Sequence, residues 1–308
     1  MSTHLQSIKM KLQGILESMK SFHKSTIKMK NPGKVAEMVS QIIADGKSKL
    51  QVVTDFDRTL TCTRGDACPA ASPLASTCFE ILDQSELMPQ IYRDETTRLR
   101  DKYYPIEIDP NLTIEQKLPM AVEWYTQAHE VMLKTGLRQK DLVAMVRDSS
   151  AKLREGTDQL LERLHQMDVP VLIFSAGLGD LIHALLDQHA DNHDNIKVVS
   201  NYMRFDDEGK MVGFHDELIH MYNKNENSVH SSAYFERLRG RNNVLLMGDN
   251  VGDLRMADGV ENPNVTLRIG FLNDYSEERL AKFLDMFDIV LVDDQTMDVG
   301  NDIVTQLA

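Results

Sequence analysis

The sequence predicts an α/β fold: a Rossmann-like, doubly wound parallel sheet with a mostly helical cap inserted after the first strand. Three observations carry this. From Gly156 onward, short apolar runs alternate with amphipathic helical patterns, as a parallel sheet covered by helices requires. An earlier apolar run, Gln51-Val52-Val53-Thr54, already supplies one buried strand. Between Thr59 and Gly156, by contrast, only helical periodicity is found.

The elements follow in order. Leu5, Ile8, Leu12, Ile15, Leu16, Met19 and Phe22 recur at helical spacing beside Lys9, Lys11, Lys20 and Lys24, which predicts a helical extension over residues 1–30. A basic amphipathic helix suits a membrane surface or the body of the protein; Glu17 interrupts the basic face and favours packing on the body. Asn31-Pro32 starts a second helix that ends near Ala44-Asp45-Gly46. After the strand at 51–54 come helical patterns at about 74–83, 92–102, 114–132 and 138–153. The expected division is a core of residues 31–65 and 156–308 and a cap of 66–155. In the second half, helix 157–167 leads to strand 169–174, and helix 178–188 to strand 197–200. Asp206-Asp207-Glu208-Gly209-Lys210 reads as the turn of a β-hairpin. Helix 231–239, strand 244–247, a helix from Val251, strand 265–269, helix 277–286 and strand 289–292 complete the alternation.

The chemistry sits at strand ends. Asp55 and Asp57 follow the first strand at i and i+2, so an extended backbone turns both carboxylates to one face. Taken alone, such a pair is more readily a solvated turn, and the later strand-tip motifs decide against that. In one crevice the two acids repel each other unless a cation or a shared proton relieves them. Asp55 then serves as a nucleophile towards phosphorus and Asp57 as general acid and base. Ser175, the backbone N–H of Ala176 and the glycine-rich turn after them form a cradle for phosphate. Asp249 ends the strand at 244–247, with Asp253 four residues on; hard oxygen donors of this kind suit Mg²⁺. His129, His183 and His220 have no ligand-spaced partner, so they are expected at the surface or as satisfied core residues.

Asp55-x-Asp57-x-Thr59, Ser175, a lysine, and Gly248-Asp249-x-x-x-Asp253 resemble the haloacid dehalogenase superfamily of phosphohydrolases. Longer stretches are similar to the cytosolic 5′-nucleotidase III family: Lys102-Tyr103-Tyr104-Pro105-Ile106-Glu107-Ile108-Asp109-Pro110, Val122-Glu123-Trp124-Tyr125-Thr126, Phe174-Ser175-Ala176-Gly177, Gly213-Phe214, Glu217-Leu218-Ile219-His220 through Asn223-Lys224, and Gly252-Asp253-Leu254-Arg255-Met256-Ala257-Asp258-Gly259. The resemblance implies hydrolysis of a nucleoside 5′-monophosphate, a haloacid dehalogenase core with its cap after the first catalytic strand, and Mg²⁺ as cofactor. It implies that Lys224 holds the phosphate, that Asp253 orients the metal or its waters, and that Glu107 accepts hydrogen bonds from the base. Glu107 is expected in a segment without helical character. Tyr125, beside the single Trp124, is the expected stacking partner. Ala128 departs from the pattern, standing where pyrimidine-cleaving members carry serine, so it marks the base-binding region without offering a hydrogen bond. The shared chemistry also fits a phosphoserine phosphatase-like enzyme or a nucleoside phosphotransferase; the cap residues favour a nucleotide.

Composition sets outer limits. A net charge of −13 argues against a nucleic-acid polymer as partner. No apolar run approaches the ~20 residues that span a bilayer. Cys62, Cys68 and Cys78 are odd in number and lack ligand spacing, which fits reduced thiols in the cytoplasm. A monomer without a membrane partner is expected.

Overall fold

The computed structural model describes residues 14–64, 75–109, 111–190, 193–224, 232–260 and 262–307. After helical residues at 14–17 and a 3-10 turn at Lys20–His23 come β1 (Ile27–Lys28), α1 (Pro32–Asp45) and β2 (Leu50–Thr54). α2 (Cys78–Gln84), α3 (Gln90–Ile108), α4 (Ile114–Leu133) and α5 (Leu142–Asp148) then follow with no strand of the sheet between them among the described residues. α6 (Thr157–Gln166), β3 (Val171–Leu178), α7 (Gly179–His189) and β4 (Ile196–Asn201) lead to a hairpin of β5 (Met203–Phe205) and β6 (Met211–Phe214). α8 (Ser232–Leu238), β7 (Asn243–Gly248), β8 (Val265–Leu272), α9 (Glu277–Met286), β9 (Ile289–Val292) and α10 (Asp298–Thr305) complete the chain.

The main sheet has seven strands in the order β1-β9-β8-β7-β2-β3-β4, parallel except for β1 at the edge. From β2 the chain winds one way through β3 and β4, then returns to the other side through β7, β8 and β9. The reversal lies between β2 and β7, and the crevice outside their carboxyl ends is where such sheets hold ligands. Every residue of β2 and β7 is buried, which is why both read as unbroken apolar runs rather than alternating ones. α1 is cut out as its sequence predicts: Asn31 accepts from Lys34 N, Pro32 opens the first turn, and Gly46 ends the helix at φ 75°. It buries Val35, Val39 and Ile42 along one stripe.

The insertion leaves and rejoins the core at one place. Thr61 bridges to Leu153, and Cys62 N donates to Lys152 O at 3.0 Å. Helices α3 and α4 pack on each other, while α2 sends Cys78, Ile81 and Leu82 into the main core.

Several expectations need correction. α3 continues through Pro105 to Ile108, so Glu107 lies in its last turn and not in a non-helical segment. Proline removes one intrahelical hydrogen bond, but Asp101 and Pro105 are both exposed, so the freed carbonyl lies on the solvent side. β3 runs to Leu178 instead of ending at Phe174. Its irregular end stays extended because Ser200 Oγ and Asn201 Nδ2 bond the carbonyls of Gly177 and Ala176. The helix expected from Val251 is a 3-10 helix, Val251–Ala257, and the pattern at 138–153 yields only a 3-10 turn and the short α5. β1 and α10 were not anticipated. At the N-terminus, Leu16 and Met19 are buried in the core; Leu5, Ile8 and Leu12 lie outside the described residues, as do Cys68 and Pro110.

His183 Nε2 meets the Tyr202 hydroxyl and His220 Nδ1 accepts from Tyr222 N, as satisfied histidines should. His129 does not fit that expectation. Its ring stacks on Phe214 with centroids 3.7 Å apart, and its Nε2 has no hydrogen-bond partner among the described residues. Burial pushes its pKa down to about 4. The unfolded chain takes up this proton near 6.5, so the contribution to stability is present above that pH and is lost as pH falls towards 4. About 2 kcal/mol is expected to vanish between pH 7 and pH 5 through this group. Urea unfolding of His129→Phe should lack that component; an identical pH dependence in both proteins would rule it out.

Candidate active site

The tips of β2, β3 and β7 bring the acidic residues together. Thr54 pairs with Met247 on one side and Ile173 on the other, and Asp55 N donates to Met247 O at 3.0 Å. Oxygens of Asp55, Asp249 and Asp253 lie within 4.8 Å of one another, a hard-oxygen set able to hold a metal ion. Asp57 is not in this cluster; its Oδ1 accepts from Cys78 N at 3.0 Å.

Charge in the crevice is balanced by one lysine. Lys224 Nζ lies 2.5 Å from Asp55 Oδ1 and 3.0 Å from Asp253 Oδ1, and all three side chains are buried. Burial works against the ammonium, yet Asp253 and Asp55 outweigh it and hold its pKa above the usual value. Burial, then the charges of Asp55 and Asp253, push Asp249 well above the carboxylate range. Burial and Asp55 raise Asp57 to about 6, a value suited to giving and taking a proton near neutrality. Asp253 reaches about 6 through burial, opposed by Lys224. Buried carboxylates this close call for a cation, as the donor set indicates.

Ser175 and Ala176 sit on the irregular end of β3, with Gly177 N donating to Ser175 Oγ at 3.0 Å. A side chain on Gly177 would meet Asp57 Oδ2 at 3.0 Å and Ser175 Oγ at 3.1 Å, so glycine permits this close approach. The turn after Asp57 is held rigidly. Arg58 adopts a left-handed φ of 61°, its N donates to Thr61 Oγ1, and its carbonyl accepts from Arg154 Nη2 and Asn273 Nδ2. Arg154, fully buried over the Phe271 ring, also bonds the Thr59 and Asp294 carbonyls.

Above this floor, Glu107 borders a small hollow with Tyr103, Trp124, Lys117 and Tyr222 among its lining. Burial raises the Glu107 pKa against the opposing charges of Arg58 and Lys117. Trp124 stacks on Tyr103, with centroids 6.0 Å apart. Tyr125 instead meets Phe79 edge to face at 5.9 Å, and burial and Glu107 raise its pKa. Ala128, half-buried, lies one turn further along α4. Sequence reasoning missed Tyr222, whose only signal was its place two residues before Lys224, and Cys78, whose role is a backbone N–H that carries no sequence mark.

Comparisons with known proteins identify relatives of the chain. Residues 68–308 match the pyrimidine 5′-nucleotidase (UMPH-1) family. The chain is 42% identical over 287 residues to the human 7-methylguanosine phosphate-specific 5′-nucleotidase, covering 92% of this chain and 93% of that protein. A crystal structure of cytosolic 5′-nucleotidase IIIB bound to cytidine superposes with a TM-score of 0.85 at 34% identity, covering 95% of this chain and 97% of the other. A Salmonella enterica hydrolase of the haloacid dehalogenase family shares the fold alone, at a TM-score of 0.52 and 13% identity, over 85% of this chain and 73% of that one. Among the described residues no helix is long and apolar enough to cross a membrane. The chain belongs to the pyrimidine 5′-nucleotidase family of hydrolases, with a haloacid dehalogenase-like core and a helical cap.

Proposed function

We propose that the chain is a Mg²⁺-dependent 5′-nucleotidase that converts nucleoside 5′-monophosphates to nucleoside and phosphate, with 7-methyl-GMP preferred over CMP and UMP. The observation that carries this is the convergence of Asp55, Asp249 and Asp253 around Lys224, two residues along the chain from Tyr222 in the hollow that Glu107 borders. Asp55 attacks phosphorus in line and forms an aspartyl-phosphate. Asp57 protonates the departing 5′-oxygen and then deprotonates the water that cleaves the intermediate. Ser175, the Ala176 N–H and Lys224 hold the phosphate oxygens. Asp55, Asp249 and the main-chain carbonyl of Asp57 would hold Mg²⁺, with Asp253 orienting its surroundings, and the bound ion would supply positive charge at the phosphate. Residues 66–155 act as the cap that excludes water. The enzyme works as a cytoplasmic monomer on a small substrate.

The base preference rests on the flat rings beside Glu107. Tyr103 and Trp124 next to a carboxylate suit a base carrying positive charge, and Ala128 withholds the hydrogen bond a pyrimidine would use. The relatives named for 7-methylguanosine phosphate support the same choice.

Phosphate release from 7-methyl-GMP, CMP, UMP, GMP and AMP with Mg²⁺ tests the reading; release from none of them would end it. For Glu107→Ala, kcat/KM for nucleotides relative to an aryl phosphate should fall about 10- to 100-fold, the worth of hydrogen bonds to a charged group. An unchanged ratio would remove Glu107 from base recognition.

A further inference from the structure

We infer that Tyr222 determines specificity, forming the core-side wall of the base subsite and offering its hydroxyl to an acceptor on the bound base. This rests on the nucleotidase reading above. The hollow is built from two sides of the molecule. Tyr103 and Glu107 come from α3, and Lys117 and Trp124 from α4; Tyr222 meets them from the segment that follows the hairpin. The half-buried phenol therefore shares this hollow, about 10 Å³ in volume, with the carboxylate and the aromatic pair, and a bound base would part them.

Its backbone is fixed. Ile219 N donates to Asn201 Oδ1, His220 N to Asn223 Oδ1, Asn223 Nδ2 to Leu218 O, and Tyr222 N to His220 Nδ1. Asn201 Nδ2 in turn bonds Ala176 O and Ile219 O, so the strap is tied to the phosphate cradle itself. Two residues beyond Tyr222, Lys224 is locked between Asp55 and Asp253. One stiff strap thus carries both a contact for the base and the cation for the phosphate. It sets the separation between the two ends of a ligand, as a ruler would, and a phosphoester without a base at that distance gains nothing from it.

The chemistry is that of a neutral phenol. Burial and then the charge of Glu107 push the Tyr222 pKa up to about 12, so the O–H stays on at neutral pH. The hydroxyl makes no hydrogen bond to another described residue. Glu107 only accepts when ionised, whereas Tyr222 donates through O–H and presents a flat face. Together they match a heteroaromatic base that has both donors and an acceptor on its edge, joined to a 5′-phosphate.

Trp124, the single tryptophan, lines the same hollow and reports occupancy without turnover. Fluorescence titration of the full chain with 7-methylguanosine and cytidine measures binding; phosphate release from 7-methyl-GMP and phenyl phosphate measures selectivity. Tyr222→Phe should weaken nucleoside binding about 5- to 10-fold, the worth of one neutral hydrogen bond. Tyr222→Ala should weaken it about 10- to 100-fold by also removing the ring. In both variants the preference for the nucleotide over phenyl phosphate should fall in step, through KM. Unchanged nucleoside affinity, or equal losses on both phosphate esters, would overturn the inference. A wild-type protein that binds neither nucleoside and cleaves phenyl phosphate as well as 7-methyl-GMP would instead overturn the nucleotidase reading beneath it.

Discussion

Asp55→Asn is expected to lower turnover by roughly 10⁴-fold or more, the scale of losing a nucleophile, while leaving the protein folded. An amide has almost the shape of a carboxylate but cannot displace the 5′-oxygen. The structure explains why the fold should survive. Lys224 keeps Asp253 at 3.0 Å as an ionic partner, so the ammonium is not left uncompensated. The charge of Asp55 also raises the pKa of Asp57, Asp249 and Asp253, and removing it relieves that repulsion. Unfolding free energy in the absence of metal should therefore change by no more than about 1 kcal/mol. Steady-state phosphate release and a urea melt decide the matter together. Wild-type turnover in a folded variant would end the aspartyl-phosphate mechanism; an unfolded variant would show that the acidic cluster is structural.

Lys224→Met separates the two roles of that lysine. Its ammonium is the one cation in contact with Asp55 and Asp253 among the described residues, with Asp249 close by. Removing one partner of a buried ion pair leaves an unpaired charge and costs about 3–5 kcal/mol. Methionine fills nearly the same volume, so the loss is electrostatic rather than a cavity effect. Mg²⁺ should restore part of that stability, because ion binding to the folded state replaces the missing positive charge. Activity should remain about 10²- to 10³-fold down even in Mg²⁺, since a fixed cation at the phosphate is lost. Urea melts in EDTA and in Mg²⁺ supply the test. Equal stability of variant and parent in EDTA would mean that Lys224 does not carry the charge balance of the crevice.

The acidic centre was legible because its elements have local signatures. An apolar run buried on both faces must be a central strand, and an aspartate directly after it lands at the carboxyl edge of the sheet. Asp55 and Asp249 stood out through that position together with the other strand-tip motifs and the family resemblance. The core helices were equally readable: Asn31, Pro32 and Gly46 mark both ends of α1 in the sequence itself. Where local rules compete, the reading failed. Glu107 was expected outside any helix, but exposure of the face that carries Pro105 lets α3 run on through it. A turn was expected directly after Ser175, but bonds from Ser200 and Asn201 on the neighbouring strand to the carbonyls of Gly177 and Ala176 keep the chain extended to Leu178.

The sequence by itself singled out the strand-tip aspartates as the candidate chemical groups and gave the order of strands and helices that carries them, while Lys224 was singled out only through the family resemblance. Periodicity and strand-end position are properties of a few consecutive residues, and such properties survive without coordinates. Only the tertiary structure decided what surrounds the base. Tyr222 reaches Glu107 and Trp124 from the opposite side of the cleft, across some hundred residues of intervening chain. No local pattern records a meeting of that kind, because burial and shape complementarity between distant segments arise only when the sheet and the inserted helices close on each other.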